Sequence, residues 1–598
     1  MKISNRTTNI LAAFLLILMF LSVIFSVKDS SVTADEVPHI VAGYSYLTHR
    51  NYRLNPGHPP LIKDLAAIPL LFLDLNFSKE YLKDIVLASS WHLGVDFLYN
   101  SNNNADQILF WSRLPMILLL VFLGWFLFRW TKELADNKTA LLVLTLFSFS
   151  STFLAHGGLV TTDVGTTLGF VLAIYFYLRF LKNPTRKNTI FSGITLGTAL
   201  LLKFFNAFLI PFLGIIFLIF IFLKLKSKKE LLKDYFKKTI LIGLISISCI
   251  WIVYQFHLLN YPLEKQLEDI KFTLSFYPHA GFLNNICLWL FENPFLRPFA
   301  HYLLGFIIIY SGVITSGNWP TYLLGTISSQ SFWYYFPVVY LIKVPLALHV
   351  LILIAFFVVL CALRKVSFKK WLKSHFTELS MLLFVIIYWG IALRSKSQIG
   401  IRHILPTFPF IYILVSIRIK SWLEKIKIVS LQKKAIFLIL FLLTWYSISS
   451  LSSFPYYLSY FNELVGGSRQ GYKYVVDSNV DWGQDLKRLS NWVEKQGIEK
   501  IYIDYFPGNL LSGRTILKYY FDEKAILWYG SCWWRWWGIP EPDDFPRGNY
   551  LAVSATFLQT DQGEPRSDYY GYWGCYNWLN NYQPIAQIGN SIFVYYIY

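Results

Sequence analysis

The feature that most constrains this chain is a repeated apolar run of about the length needed to cross a bilayer, roughly 20 residues. Runs of this kind recur from residue 9 to residue 452. They predict an α-helical polytopic membrane protein. We place eleven spans, with ends uncertain by a few residues, at 9–27, 108–130, 139–155, 163–181, 188–203, 205–223, 238–257, 343–363, 378–394, 401–418 and 434–452.

Charge gives the orientation. When the spans are threaded from a cytoplasmic N-terminus, the short loops rich in Lys and Arg all fall inside, as the positive-inside rule requires. The net charge of +19 is therefore explained by topology, and a nucleic-acid partner is not expected. We expect a multi-pass protein of the plasma (inner) membrane. The first run, 10–27, has no A-x-A cleavage site and is interpreted as a retained signal anchor.

Two long segments fall on the outer side, at 28–107 and 258–342. The first holds amphipathic pieces, 37–47 and 61–75, that suit helices lying in the plane of the interface. The second holds a marginal apolar run, 301–314, which is either a further span or a re-entrant segment.

After Ser453 the composition becomes that of a soluble domain. We therefore divide the chain into a membrane domain, 1–453, and an extracytoplasmic α/β domain, 454–598, with a helix over 485–496 and Gly497 as its C-cap. Strands are predicted at 500–505, 550–555, 585–588 and 592–597. Cys532 and Cys575 both fall in this domain, where a disulfide is permitted, but spacing alone does not pair them.

The first outer loop presents Asp35 and Glu36 immediately after the first span. Two interpretations fit. The pair suits a helix N-terminus, with Asp35 as N-cap and Glu36 in the first turn. It equally suits catalysis, with Asp35 as a general base that takes a proton from an acceptor hydroxyl.

The candidate substrate-binding residues also lie on the outer side. His58, in a His-Pro-Pro-Leu turn, orders the turn or binds a sugar hydroxyl or a metal. Asp163 starts a helix, as a cap or as a ligand. Lys203 either extends its ammonium group toward the membrane surface or, like Arg402, binds a phosphate. Arg394 and Lys396 are alternative candidates for the phosphate-binding role. A divalent metal would suit Asp35 and His58 without being required.

In their order along the chain these motifs resemble the phospholipid-carrier-dependent glycosyltransferases, relatives of the protein O-mannosyltransferases and of the lipid A aminoarabinose transferase (glycosyltransferase family 39-like). The resemblance rests on several short segments distributed over the whole chain. They are Asp35-Glu36, His58-Pro59-Pro60-Leu61, Thr161-Thr162-Asp163, Tyr322-Leu323-Leu324-Gly325, Trp333 to Pro337, Lys343-Val344-Pro345, Gly400 to Pro406, Tyr460 to Glu463, and Asp477 to Asp485. Two positions depart from the family, Asn318 and His403, where members often carry His and Tyr.

The resemblance implies a C-type glycosyltransferase architecture and inverting transfer of a sugar from a polyprenyl-phosphate donor. The acceptor would be a protein, a glycan or a lipid, and membrane lipid would be a further partner. Asp35 and Glu36 are then the candidate catalytic residues. The alternative from another class is a transporter or lipid-carrier flippase. The absence of an inverted repeat and the long outer loops argue against it. A non-catalytic binding protein is a third alternative, which the retained Asp35 disfavours.

Overall fold

The computed structural model describes residues 4–78, 89–225, 229–315, 320–363, 372, 374–506, 513–540, 542 and 544–598. Within these ranges, seven helices are long and apolar enough to cross a membrane. They are Asn5–Val27, Ala105–Leu134, Thr162–Lys182, Phe204–Leu223, Lys229–His257, Ile401–Lys425 and Val429–Leu451. The prediction of an α-helical polytopic membrane protein is confirmed.

The count of eleven spans is not confirmed. An eighth span exists if the helix pair Tyr335–Lys343 and Leu346–Ala362, bent by 110°, is taken as one. The other three predicted spans correspond to shorter helices, because polar residues and breaks interrupt them. They fall at Asn137–Ser148 with Ser151–His156, at Arg186–Leu202, and at Phe376–Ala392.

The predicted surface helices of the first long loop behave differently from each other. Glu36–His49 is buried along nearly its whole length, from Glu36 to Tyr46, so it belongs to the core and the expectation of an interfacial helix is wrong there. Leu61–Ala67 packs against it and is also mostly buried, whereas the following turn, Ile68–Phe72, exposes apolar side chains. The interfacial placement of 61–75 stays a prediction. The loop closes with Ser89–Val95.

The second long loop is helical and ends in a small sheet. Its helices are Leu263–Ser275, Gly281–Glu292 and Arg297–Thr315, and the last one contains the marginal run 301–314. Strands β1 (Thr321–Leu323) and β2 (Thr326–Ser328) form a hairpin. Strand β2 also pairs in parallel with β6 (Glu564–Pro565), so this loop and the C-terminal domain share one sheet.

The C-terminal domain is an α/β unit, as predicted. Its five-stranded sheet has the order β4-β3-β5-β8-β7. The strands are β3 (Ile501–Asp504), β4 (Ala525–Leu527), β5 (Asn549–Ser554), β7 (Ala586–Ile588) and β8 (Ile592–Ile597). Its helices are Leu486–Lys495, Gly513–Phe521, Cys532–Trp536 and Ala555–Gln562. Gly497 has a φ of +65°, consistent with its predicted C-cap position.

This domain packs on one end of the helix bundle, which we call the capped end. Lys487 forms an ion pair of 2.6 Å with Asp106 at the start of the second long helix. Arg488 donates to the Ser26 carbonyl at 2.9 Å, and the Leu486 amide donates to Ser31 Oγ at 3.1 Å. The opposite end, where Leu134 and Lys182 lie, is called the open end.

Candidate active site

Asp35 lies at the N-cap position of helix Glu36–His49, but its side chain makes no capping hydrogen bond. Its Oδ2 atom instead accepts a hydrogen bond of 2.8 Å from Arg402 Nη1. The Asp35 side chain is 33% exposed, whereas the Arg402 side chain is 7% exposed. The carboxylate therefore forms a tertiary ion pair and stays accessible. The side chain does not act as a helix cap.

Arg402 is fixed from several directions. It sits in the tight turn Ile401–Thr407, and its Nη1 atom also approaches Asp163 Oδ2 at 3.4 Å. Its Nε donates to Ser478 Oγ at 3.2 Å. The guanidinium lies 4.1 Å from the centre of the Trp482 ring, a cation–π contact. The C-terminal domain thus supplies two of the groups that orient this cation.

Asp163 links Arg402 to a second cation. It lies in the first turn of Thr162–Lys182, where its Oδ1 atom accepts from Lys203 Nζ at 2.9 Å. Lys203 occupies the extended break between Arg186–Leu202 and the turn Phe204–Phe208, with 21% of its side chain exposed. Together Asp35, Arg402, Asp163 and Lys203 form the charged network, in which two carboxylates alternate with two cations.

Glu36, the other candidate catalytic residue, has a different environment. It is fully buried, and Arg113 binds both its oxygens, at 2.8 and 2.7 Å. The amides of Thr33 (2.9 Å) and Val160 (3.0 Å) and the Thr33 hydroxyl also donate to it. Burial acts to raise the pKa of Glu36, but Arg113 and the amides outweigh it, and the pKa is lowered. The carboxylate is buried and fully hydrogen-bonded, which favours a structural role, and the catalytic role of Glu36 stays a prediction.

His58 is partly buried at the turn that follows helix Glu36–His49. Its ring lies edge-on to His39 with centroids 5.4 Å apart. Its Nδ1 atom has no hydrogen-bond partner among the described residues. Burial, assisted by His39 and Lys203, holds the pKa of His58 well below its usual value. Lys63 Nζ fixes the turn by donating to the His58 carbonyl at 2.8 Å. The substrate-binding role of His58 stays a prediction.

The donor set around Asp35 does not favour a divalent metal. The carboxylates of Asp35 and Asp163 are already paired with Arg402 and Lys203, which supply the positive charge that a metal would bring. In the described part of the chain, three potential ligands converge within 4.8 Å only at Cys532, Asp561 and Cys575. Those two cysteines form a disulfide bond.

The segment 477–482 contributes more to the site than the sequence indicated. Ser478 and Trp482 contact Arg402, and Asp477 lies near Arg402 and Asp35 with a φ of 59°. Partial burial, together with Asp35, raises the pKa of Asp477 to about 7 against the opposing effect of Arg402. The run 477–485 was part of the resemblance, but its role as a partner of Arg402 carries no local signal. Of the two departures from the family, Asn318 lies outside the described residues, and His403 stacks on Phe336.

The fold and the charged network define a class: a polytopic membrane protein in which an accessible carboxylate, Asp35, is paired with a buried cation, Arg402, at the capped end. Residues 97–252 match the model of a family described as dolichyl-phosphate-mannose-protein mannosyltransferase. The match includes Arg113, Asp163 and Lys203 but ends before Arg402 and begins after Asp35. Over these residues the match agrees with the resemblance drawn from the motifs. No curated protein matches the sequence at a significant level.

Several solved structures are similar to the chain. The Pmt1–Pmt2 protein O-mannosyltransferase complex of S. cerevisiae, bound to the sugar donor, has 18% identity and a TM-score of 0.30 over 43% of this chain, which spans only 34% of that protein. The archaeal oligosaccharyltransferase AglB of Archaeoglobus fulgidus, with an inhibitory peptide and a dolichol-phosphate, has 11% identity and a TM-score of 0.46, over 92% of this chain and 71% of that one. ArnT from Cupriavidus metallidurans, bound to undecaprenyl phosphate, has 10% identity and a TM-score of 0.44, over 99% and 98%. With TM-scores below 0.5, these likenesses carry no argument about the site.

Proposed function

We propose that this protein transfers a sugar from a polyprenyl-phosphate donor to an acceptor hydroxyl or amine, with inversion at the sugar carbon, and that the capped end is the outer face of the plasma membrane. The observation that carries the proposal is the charged network. It places an accessible carboxylate, Asp35, against a buried, oriented cation, Arg402, at one end of a membrane bundle.

The network can balance the charges of such a reaction. The acceptor oxygen or nitrogen attacks the sugar carbon, its proton passes to Asp35, and the bond from that carbon to the phosphate oxygen breaks. The phosphate leaves with the bonding electron pair and gains one negative charge as Asp35 becomes neutral. Arg402 and Lys203 then face Asp163 alone, so one positive charge is released to stabilise the leaving phosphate.

The environment of each residue suits its part. Arg402 is planar, permanently charged and held by Ser478 and Trp482, and such preorganised donors are the ones that stabilise developing charge without reorganisation. Lys203 is partly exposed, which lets a phosphate reach it. Asp35 is the most exposed member of the network, as a group that meets the acceptor must be. His58 is proposed to contact the sugar.

The partners follow from the chemistry. The donor's polyprenyl chain lies among membrane lipids, so its phosphate is at headgroup depth, where the charged network is proposed to lie. The acceptor is a protein, glycan or lipid on the same side. We place the N-terminus in the cytoplasm, because the loops at the open end carry the Lys and Arg clusters.

The experiment is Asp35→Asn in the purified full chain, supplied with radiolabelled polyprenyl-phosphate sugars and candidate acceptors. Turnover should fall by ~10²–10⁴-fold, the usual contribution of a general base. The melting temperature should change much less than turnover, because the Asp35 side chain is 33% exposed and makes no capping bond, and Arg402 keeps its contacts with Asp163, Ser478 and Trp482.

Asp106→Asn is the matched control, since Asp106 is also an ion-paired carboxylate at the capped end but pairs with Lys487 outside the network. It should keep wild-type turnover. Near-normal turnover in Asp35→Asn would remove Asp35 from the chemistry. A wild-type protein that moves its lipid substrate across a vesicle without releasing the sugar would favour the transporter.

A further inference from the structure

The open end of the bundle carries a groove that the charged network does not use. It lies between the last turns of helices Ala105–Leu134 and Thr162–Lys182 and encloses about 380 Å³. Three cations line it, Arg129, Lys132 and Arg179. A second cavity of about 560 Å³, around residues 183–188, adjoins it and shares Arg179.

The charges of the groove do not cancel. Arg179 Nη1 donates to the Tyr175 hydroxyl at 2.9 Å, and that hydroxyl donates to Glu133 Oε2 at 2.7 Å. Glu133 is the one carboxylate in the lining and is thus already engaged. Arg129 makes no hydrogen bond or ion pair with any residue that the structure describes. Lys132 donates a hydrogen bond of 3.4 Å to the Asn9 amide oxygen and lies 5.8 Å from the centre of the Phe128 ring. Three cations therefore face a single carboxylate.

Aromatic rings form the apolar wall of the same groove. Tyr175 packs edge-on against Phe126 and Trp130, with centroids 5.0 and 5.3 Å apart. Trp125 stacks on Phe122 with ring centroids 5.6 Å apart and is 44% exposed. Tryptophan and tyrosine are typical of the level where acyl chains meet headgroups.

We propose that this groove binds the phosphate of an anionic phospholipid between Arg129 and Arg179, with an acyl chain along Trp125. Basic loops explain the number of cations at this end. They do not explain a cavity between two spans that combines an unpaired arginine with an aromatic wall. Positively charged pockets between transmembrane helices are suited to anionic headgroups, and arginine pairs with phosphate through two parallel hydrogen bonds. A soluble anion would have no use for the aromatic wall.

The test measures lipid binding to the purified full chain by native mass spectrometry. Wild type should retain phosphatidylglycerol more tightly than phosphatidylcholine. Arg129→Gln should weaken phosphatidylglycerol binding roughly ten-fold, the usual effect of losing one charge-assisted contact. Because Arg129 has no protein partner among the described residues, the melting temperature of the lipid-free variant should match wild type. Arg129→Gln combined with Arg179→Gln should weaken binding further.

The control is Lys433→Gln with Lys434→Gln, which removes two exposed charges at the same end but outside the groove, and it should bind as wild type does. An equal loss in this control would attribute the effect to diffuse charge and overturn the proposal. Equal retention of both lipids by wild type would overturn it too. Displacement of phosphatidylglycerol by inorganic phosphate at the same concentration would reassign the groove to a soluble anion.

Discussion

At the scale of single residues, Arg402 is the central contact of the charged network, because one of its guanidinium nitrogens lies within ion-pair distance of both Asp35 and Asp163. Arg402→Ala should lower kcat/KM for the donor by roughly ten- to hundred-fold, since a charge-assisted contact is worth ~1.5–3 kcal/mol. Some stability should be lost as well, because Asp163 keeps only Lys203 as its partner. The kcat/KM of Arg402→Lys, which preserves the charge but not the planar guanidinium, should lie between those of wild type and Arg402→Ala.

Donor kinetics and melting temperature are measured on the same preparations of both Arg402 variants. Unchanged donor kinetics in Arg402→Ala would move the phosphate role to Lys203. A loss that Arg402→Lys restores completely would show that charge alone matters and that the contacts with Ser478 and Trp482 do not.

Glu36 should respond in the opposite way from Asp35. Glu36→Gln removes one partner of a buried ion pair and leaves Arg113 uncompensated, which typically costs about 3–5 kcal/mol. We expect a clear drop in melting temperature or poor recovery in detergent, with activity falling only in proportion to folded protein. A variant that melts like wild type but does not turn over would return Glu36 to the chemistry.

The sequence could select Asp35 and Arg402 as candidates because each is a charge at the end of an apolar run, where charge is costly. It could not pair them, since 367 positions separate them and a contact of that separation depends on the packing of several spans. Nor could it show that the neighbouring carboxylate is buried. Asp35 points toward Arg402 and stays partly exposed, whereas Glu36 points toward Arg113 in the core.

At the scale of elements, the helix that begins after Asp35 is positioned by close packing. A Cβ atom at Gly43 would lie 2.0 Å from the Lys63 carbonyl oxygen, so only glycine allows Glu36–His49 and Leu61–Ala67 to approach this closely. Gly43→Ala should push these helices apart and destabilise the protein by about 1–3 kcal/mol. Because Asp35 and His58 flank the same two helices, turnover should fall together with the melting temperature.

Gly243→Ala is the matched control for this change, since Gly243 is also helical and has no atom within 4 Å of an added Cβ. It should leave turnover intact and keep or slightly raise stability, because alanine is the better helix former. Equal melting temperatures for the two variants would contradict the packing argument.

Element types were predicted well where the pattern is strong. The strands predicted at 550–555 and 592–597 are each bounded by turn residues, and they are observed as β5 and β8. Helix Gly513–Phe521 and strand β4 were missed because they are short and follow one another directly. Helix Glu36–His49 was placed on the surface because its mixed composition resembles an amphipathic helix. Its polar side chains are in fact buried, with Glu36 paired to Arg113 and His39 bonded to the Val160 carbonyl.

At the scale of the whole molecule, the two parts of the chain meet at the charged network. The C-terminal domain supplies Ser478 and Trp482 to Arg402, and its strand β6 pairs with β2 of the loop before Tyr335–Lys343. Composition separates the two parts at Ser453 because one is apolar and the other is not. It does not reveal that residues of the C-terminal part contact Arg402.

The proposed topology makes the last prediction. If the capped end faces outward, a cysteine placed at Glu499, exposed in the C-terminal domain, should react with an impermeant maleimide added to intact cells. A cysteine at Lys433, exposed near the start of helix Val429–Leu451 at the open end, should react only after the membrane is permeabilised. The background must lack Cys249, Cys287 and Cys361, the free cysteines, while Cys532 and Cys575 stay paired. The physical reason is the placement of the short basic loops, which sets orientation in multi-pass proteins. Labelling of the Lys433 position in intact cells, with protection of the Glu499 position, would show that the orientation is the reverse of the one proposed. The charged network would then lie on the cytoplasmic side, where the proposed donor chemistry would need a different acceptor.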